Sequence, residues 1–226
     1  MSDREGKPIA EAFNRIGYSA FVLEYTCNVH PLNRTPLREL AWAVRYVREN
    51  FQRYGMSRDF VMTCGFSAGA HLIGLLGNVW SDPDWTGFSE SPKLCRPSAQ
   101  ILCYPVVTAG RFAHERSMTN LAGASRSDWS KYSLENMVNA LVPPTFLWHT
   151  ETDIKVSPWN SLLYYHALME HGICAELHIF PYGVHGMSLA TKEVESPEEG
   201  CYADPHIAQW FDLLNGWLKH MEESHS

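Results

Sequence analysis

Residues 61–72 read VMTCGFSAGAHL, and this stretch decides which fold the chain is expected to adopt. A short apolar run leads into Ser67, which stands between Gly65 and Gly69, and small and apolar residues follow. The pattern predicts a buried strand, a tight turn and a helix. Such a turn holds a serine in a strained backbone, and its glycines let strand and helix pass close together. Ser67 is therefore a candidate nucleophile, although the five-residue pattern alone also fits a glycine-assisted turn with an idle serine.

Strand-like and helix-like stretches alternate on both sides of this turn. Strands, the last with its turn, are predicted over residues 18–25, 59–66, 99–107, 144–150 and 175–183. Helices are predicted over residues 8–17, 37–55, 68–80, 157–172 and 204–220. This alternation predicts an α/β fold with a mostly parallel sheet and helices on both faces. We expect one domain over residues 1–226, with residues 108–143 as a surface excursion between strands.

Composition narrows the classes of protein and of partner. The 226 residues are 45% hydrophobic and 19% charged, with a net charge of −7, as in an ordinary globular protein. The acidic balance and the lack of a basic cluster speak against nucleic acid and anionic membranes as partners. The N-terminus lacks the apolar stretch of a signal peptide, and the six cysteines are scattered without a C-x-x-C pair. We therefore expect a reduced, cytoplasmic protein with no metal site. The sequence leaves open whether the protein forms a homo-oligomer.

The candidate base is a loop histidine. His185 lies in FPYGVHGMSLA, residues 180–190, flanked by Gly183 and Gly186 and just after a late strand. A histidine in such a loop can reach the end of the strand that carries Ser67, where it would accept the hydroxyl proton. The plain alternative is a surface imidazole. The other histidines lie in predicted helices, within strands or in polar loops, and His149 ends a strand.

The candidate acid follows the fourth predicted strand. Residues 149–158, HTETDIKVSP, contain Glu151 and Asp153. Asp153 is favoured because it stands deeper in the turn, just before the apolar Ile154, whereas Glu151 fits a solvated loop carboxylate. The order Ser67, Asp153, His185 is that of α/β-hydrolases, and we expect the three side chains to converge at one edge of the sheet.

Several segments closely resemble the bacterial acetyl esterase and xylan esterase-like branch of the α/β-hydrolases. They are SDREGKPIAEAFNRIGYSAFVLEY, VMTCGFSAGAHL, ILCYPVVT, PPTFLWHTETDIKVSPWNSL and HIFPYGVHGMSLA, and the resemblance covers nearly the whole chain. It implies a serine carboxylesterase that needs no cofactor and acts on short-chain acyl esters, often acetyl groups on sugars or xylan fragments. By motif match, Ser67 carries over as nucleophile, Asp153 as acid and His185 as base. The backbone N–H of Ala68 carries over as an oxyanion donor.

The beginning of the chain departs from this branch. Its members normally have early strands and a glycine-rich loop upstream, and that loop supplies further oxyanion donors. Met1 stands where that loop would be ending, so the sequence predicts an N-terminally truncated α/β-hydrolase. The family's third strand would lie between the strands at 18–25 and 59–65. We expect those two strands to pair directly or another segment to fill the gap. Losing one oxyanion donor typically costs about 10²–10³ in turnover.

The substrate side is open to several interpretations. Phe66, beside the nucleophile, and Val156, in the acid loop, are predicted walls of an acyl pocket, although both also fit core packing. Tryptophans at four positions either line a sugar-binding cleft or pack in the core: Trp80, Trp85, Trp129 and Trp159. The expected partner is a small-molecule or oligosaccharide ester. The alternatives are a peptidase or lipase on the same scaffold, and a weakened or inactive hydrolase-fold binding protein.

Overall fold

A four-stranded parallel sheet forms the centre of the computed structural model, which describes residues 2–223. Its strands are β1 (Thr63–Phe66), β2 (Gln100–Cys103), β3 (Thr145–Thr150) and β4 (Ala175–Phe180). They lie in the order β1-β2-β3-β4, and every neighbouring pair is parallel. Because each connection must return the chain to the same end of the sheet, the strands all finish at one edge.

Helices occupy the connections between the strands and both ends of the described chain. They are α1 (Ser2–Glu5), α2 (Lys7–Arg15), α3 (Thr35–Glu49), α4 (Ala68–Val79), α5 (Pro83–Thr86), α6 (Glu115–Ala122), α7 (Arg126–Trp129), α8 (Trp159–Glu170) and α9 (Gln209–Glu223). Short 3-10 turns cover Phe51–Tyr54, Pro92–Cys95, Ser130–Tyr132, Leu134–Asn136, Lys192–Val194 and Pro197–Glu199. Across residues 2–223, no helix has the length and apolar character needed to cross a bilayer.

The core consists of two apolar clusters, one on each face of the sheet. Helices α3, α4 and α8 pack on one face, against Leu102 and Leu147 of the central strands. Helices α2 and α9 pack on the other, against Ile101 and Trp148. Successive strand residues point to opposite faces, which explains why neighbours in sequence enter different clusters. The predicted parallel sheet with helices on both faces is confirmed.

The segment 108–143 contributes to the first of these clusters. Its helices α6 and α7 and the turns that follow are short, yet Met118, Trp129, Tyr132 and Leu134 are all buried. These side chains cover α4, which is itself buried on nearly every side. A helix enclosed in this way is expected to be apolar on nearly every side. Its two polar side chains, His71 and Asn78, are buried and hydrogen-bonded to backbone carbonyls.

The predicted strand at residues 18–25 is wrong. This stretch is not in a strand, and Phe21 and Val22 are 49% and 51% exposed. A β-prone sequence becomes a strand only where its backbone N–H and C=O groups find a neighbouring strand. Within the described residues β1 is an edge strand that pairs with β2 alone. The expected direct pairing of 18–25 with β1 therefore does not occur, and no other described segment forms a strand beside β1.

His71 makes folding sensitive to acid. It lies in α4, is buried, and its Nε2 donates to the Tyr132 carbonyl at 2.8 Å. Burial lowers the pKa of His71 to about 4, and this hydrogen bond offsets the effect only in part. The unfolded ring has a pKa of about 6.5 and binds more protons below that pH. The contribution of neutral His71 to the free energy of unfolding is therefore complete above about pH 6.5. About 3 kcal/mol of that free energy is lost as the pH falls towards 4.

Urea unfolding at pH 7 and pH 5 tests this assignment. We expect wild type to lose about 2 kcal/mol more than His71→Gln between these pH values, because glutamine keeps a donor but cannot titrate. The same pH dependence in both proteins would contradict the prediction.

Candidate active site

Three loops at the carboxyl edge of the sheet carry the predicted residues. Ser67 directly follows β1, Asp153 lies three residues after β3, and His185 lies five residues after β4. Loops at this edge are where parallel α/β sheets place their functional groups. The order of the strands brings the three loops to a common point.

The side chains of Ser67, His185 and Asp153 form a continuous hydrogen-bonded chain. His185 Nε2 lies 2.8 Å from Ser67 Oγ, and His185 Nδ1 lies 2.6 Å from Asp153 Oδ2. A carboxylate oxygen only accepts, so Nδ1 carries the ring proton and Nε2 is left to accept the serine proton. A neutral imidazole in this orientation is what activation of a hydroxyl requires.

Asp153 is a buried carboxylate with several donors. Its Oδ1 accepts backbone N–H groups from Lys155 and Val156, each at 2.9 Å. Burial by itself raises the pKa of Asp153. The hydrogen bonds from His149 and His185, the charge of His185 and the Val156 N–H outweigh burial, so the pKa of this carboxyl lies well below its usual value. Glu151, the alternative acid, is exposed and takes no part in this network.

His149 is a second partner of Asp153 to which sequence reasoning gave no role. Its ring is fully buried, and Nε2 lies 2.9 Å from the Val156 carbonyl and 3.2 Å from Asp153 Oδ2. Both of these oxygens accept, so the proton sits on Nε2, and Nδ1 accepts from Ser161 Oγ at 2.8 Å. The only signal in the sequence is a histidine at the end of a strand, four residues before the acid. That spacing does not distinguish a packing residue from a carboxylate partner.

The turn at Ser67 is strained. Ser67 has φ 53° and ψ −116°, in a region that residues with a Cβ rarely adopt. Its N–H donates to the Cys103 carbonyl at 3.0 Å, and its own carbonyl accepts the His71 N–H at 3.1 Å. These bonds hold the turn between β2 and the first turn of α4.

The close approach of strand and helix depends on Gly65. A Cβ on Gly65 would lie 2.6 Å from the Gly69 carbonyl oxygen and 2.6 Å from the end of the Ile73 side chain. A Cβ on Gly69 would meet only the Tyr25 hydroxyl, at an ordinary 3.6 Å. Of the two glycines expected to provide room, the structure assigns that role to Gly65.

Ala68 opens helix α4 beside the candidate nucleophile. It is the first residue of the helix, and it is exposed. N–H groups in the first turn of a helix have no carbonyl partner within the helix, and they lie at the positive end of its dipole. This position suits an oxyanion donor, the role that the sequence predicted for Ala68.

Phe66 and Val156, the predicted walls of an acyl pocket, are both core residues. Phe66 packs against the rings of Tyr104 and Trp210, with centroids 5.7 Å and 6.4 Å away. Val156 is buried in the cluster on the opposite face of the sheet. Their predicted contact with an acyl group stays a prediction.

A buried network supports the loop that carries His185. Tyr104 Oη donates to Glu5 Oε1 at 2.6 Å and accepts the Ser188 N–H at 3.1 Å. The Tyr104 ring meets the His185 ring edge-on, with centroids 5.1 Å apart. Burial raises the pKa of Glu5, and the Tyr104 hydrogen bond and the charge of His185 offset this only in part. In the sequence, the segment around Glu5 contributes only to the family resemblance, and no local pattern predicts a role for Glu5.

Arg4 ties the same loop to helix α1. Its guanidinium donates to the Gly186 carbonyl at 2.8 Å and to the Val194 carbonyl at 2.6 Å. The Arg4 carbonyl in turn accepts from Ser188 Oγ at 2.6 Å. Contacts separated by more than 180 residues in sequence therefore hold His185 in place, and no local pattern reveals them.

Comparison with known proteins places this architecture among esterases and xylan-degrading proteins. The family model described as BD-FAE matches residues 2–168. The chain is 37% identical over 206 residues to endo-1,4-beta-xylanase B of Butyrivibrio fibrisolvens, covering 87% of the chain and 32% of that relative. It is 28% identical over 194 residues to an acetylxylan esterase of Xylanibacter ruminicola, covering 83% of the chain and 38% of that relative. The chain thus spans roughly a third of the length of these curated relatives.

A solved structure shares the fold. The acetyl ester-xyloside bifunctional hydrolase of Caldicellulosiruptor lactoaceticus superposes with a TM-score of 0.81 at 36% identity, covering 95% of this chain and 76% of that chain. The fold is thus that of the α/β-hydrolases, as the sequence predicted.

The unequal roles of the two glycines can be measured by substitution. We expect Gly65→Ala to lower the free energy of unfolding by about 1–3 kcal/mol, because its Cβ would overlap backbone that cannot move freely. Gly69→Ala is the matched control and should stay within about 1 kcal/mol of wild type, since alanine favours helix. Urea unfolding of both variants gives the comparison, and equal losses would contradict it.

The hydrogen bonds of Tyr104 predict how far removal of its hydroxyl oxygen lowers the free energy of unfolding. Tyr104→Phe should destabilise the protein by about 1–3 kcal/mol, because Glu5 and the Ser188 N–H lose a buried partner. Tyr132→Phe is the control: Tyr132 is also buried, but it packs edge-on against Trp85 and no hydrogen bond shifts the pKa of its hydroxyl. We expect its cost to stay below about 0.5 kcal/mol by urea unfolding. Similar values for the two variants would show that the network is not stabilising.

Proposed function

Because this chain belongs to the BD-FAE family, whose model it matches over residues 2–168, we propose that it is a serine carboxylesterase. In this proposal Ser67 is the nucleophile, His185 the general base and Asp153 the acid that orients the base. The substrates are short-chain acyl esters, above all acetyl esters of sugars and xylan fragments.

The observation that carries the proposal is the hydrogen-bonded chain from Asp153 through His185 to Ser67. Both distances, 2.6 Å and 2.8 Å, are those of good hydrogen bonds. The low pKa of Asp153 keeps its carboxylate ionised, so it can stabilise the imidazolium that forms when His185 takes a proton. The strained backbone at Ser67 and the open first turn of α4 support the same assignment.

The reaction proceeds in two halves. Ser67 Oγ bonds to the ester carbonyl carbon while its proton passes to His185 Nε2, and the Ala68 N–H donates to the carbonyl oxygen as it becomes negative. The bond between the carbonyl carbon and the alcohol oxygen then breaks, and the alcohol leaves with the proton from His185. In the second half, water attacks the acyl-enzyme, His185 accepts a proton from the water, and Ser67 leaves with that proton as the carboxylic acid is released.

The choice of substrate draws on the relatives. The names acetylxylan esterase and endo-1,4-beta-xylanase B refer to xylan, and the name acetyl ester-xyloside bifunctional hydrolase refers to an acetyl ester and a xyloside. An acetyl group on a xylose hydroxyl forms a short-chain ester, and the mechanism described above can hydrolyse it. The fold and the three side chains would equally serve other acyl substrates, so substrate class needs its own measurement.

Covalent labelling tests the nucleophile. We expect a fluorophosphonate probe to label wild type and the exposed-serine control Ser125→Ala, and to leave Ser67→Ala unlabelled. Hydrolysis of p-nitrophenyl acetate should fall at least about 10³-fold in Ser67→Ala and His185→Gln, because the nucleophile and its base act as a unit. The absence of labelling in wild type would leave a hydrolase-fold binding protein as the better interpretation.

A substrate panel separates esterase from peptidase and lipase. We expect turnover of acetyl esters to exceed that of esters with long acyl chains and of peptide amides. Cleavage of amides without hydrolysis of acetyl esters would overturn the assignment while leaving the nucleophile intact.

A further inference from the structure

An exposed aromatic stack lies beside the candidate active site. The rings of Phe112 and Trp159 are parallel within 10°, with centroids 5.4 Å apart, and Trp159 is 50% exposed. The other three tryptophans considered for a sugar cleft differ: Trp80 and Trp129 are buried, and Trp85 packs edge-on against Tyr132. Because Phe112 covers one face of the Trp159 indole, the exposed surface of Trp159 is left for a ligand.

Hydrogen bonds hold the stack between the segment that follows β2 and the start of α8. Trp159 begins α8, six residues after Asp153. The neighbouring Asn160 is fully buried, and its side chain donates to the Phe112 carbonyl at 3.0 Å and accepts the Val107 N–H at 2.8 Å. These bonds join the segment that follows β2 to the start of α8. Phe112 and Trp159 are therefore held at the same edge of the sheet as the three reactive side chains.

Electrostatic contacts support this placement. His114, two residues after Phe112, has its pKa lowered first by burial and then by the charge of His185, while Asp153 acts in the opposite direction. The segment that carries Phe112 is thus within electrostatic range of the triad. Ile154, which follows Asp153, is 98% exposed and adds apolar surface to the acid loop.

We propose that Trp159, backed by Phe112, binds the sugar ring of the leaving alcohol, a xylopyranose unit of an acetylated xylo-oligosaccharide. The inference rests on the proposed function and specifies which part of the substrate is recognised, and where. A pyranose ring has a flat apolar face of C–H groups that matches an indole face in size. The guanidinium of Arg111 lies 5.3 Å from the Phe112 ring centroid and is exposed, so it brings donors for sugar hydroxyls to the same rim.

The open position of the stack favours the alcohol over the acyl group. A long apolar chain is best held in an enclosed pocket, whereas a platform on the rim leaves the hydroxyls of a sugar in water. An acetyl group has a single methyl and would cover little of an indole. The stack therefore fits the alcohol part of the ester, which is a polar sugar ring.

Binding without turnover provides the first test. In the Ser67→Ala background, xylotriose should bind measurably by calorimetry, and adding Trp159→Leu should weaken it about tenfold, the effect of roughly 1.4 kcal/mol. Trp159→Phe should recover most of the affinity. Trp42→Leu is the matched control, because Trp42 is also half-exposed and stacked on a neighbouring ring, but lies on α3. Absence of xylotriose binding, or equal binding with and without Trp159, would overturn the proposal.

Turnover by the active protein provides the second test. Trp159→Leu should raise KM for acetylated xylotriose about tenfold and leave hydrolysis of ethyl acetate, which has no ring, within about twofold of wild type. Equal losses on both esters would assign Trp159 a structural role and refute the subsite. A loss on methyl hydroxycinnamate without one on acetylated xylotriose would assign the stack to an aromatic acyl group and also refute it. If the protein hydrolyses no ester, the proposed function fails, while the binding measurement still decides the subsite.

Discussion

The candidate site depends on keeping one carboxylate ionised in the interior. Asp153 has no exposed side-chain surface, and burial alone would favour its neutral form. Two backbone N–H groups from its own loop and two histidine rings supply the hydrogen bonds that reverse this preference. His149 comes from the end of β3 and His185 from the loop after β4, so a correctly paired sheet is a condition for the charge. The charge in turn fixes the tautomer and the orientation of His185.

At the same edge of the sheet, hydrogen bonds hold one residue in a strained backbone conformation. Ser67 sits in an unfavourable backbone conformation, and hydrogen bonds to β2 and α4 hold it there. Arg4 and the pair of Glu5 and Tyr104 hold the His185 loop. Asn160 performs a comparable task at the rim, where it joins the Phe112 segment to α8. Each of these candidate side chains is thus positioned by at least one contact from a distant part of the chain.

Prediction from sequence succeeded where the signal was local. The strand, turn and helix around Ser67, the helices on both faces and the parallel direction of the strands follow from periodicity and alternation. It failed at residues 18–25, because a strand needs a neighbour and the stretch has none among the described residues. It also extended the second strand of the sheet to residue 107, whereas pairing stops at Cys103 and the chain turns towards Asn160. Propensity describes a segment, but pairing belongs to two segments at once.

By itself, the sequence determined the fold class and nominated a serine, an aspartate and a histidine in loops after separate strands. Those inferences need only local pattern and chain order. The tertiary structure decided what those residues touch: the burial and hydrogen bonds of Asp153, its second partner His149, the support from Arg4, Glu5 and Tyr104, and the one half-exposed tryptophan among the four considered for a sugar cleft. Hydrogen bonds and burial depend on distances between groups that are in several cases more than a hundred residues apart in sequence. Such distances are set only when the whole sheet and its helices have packed.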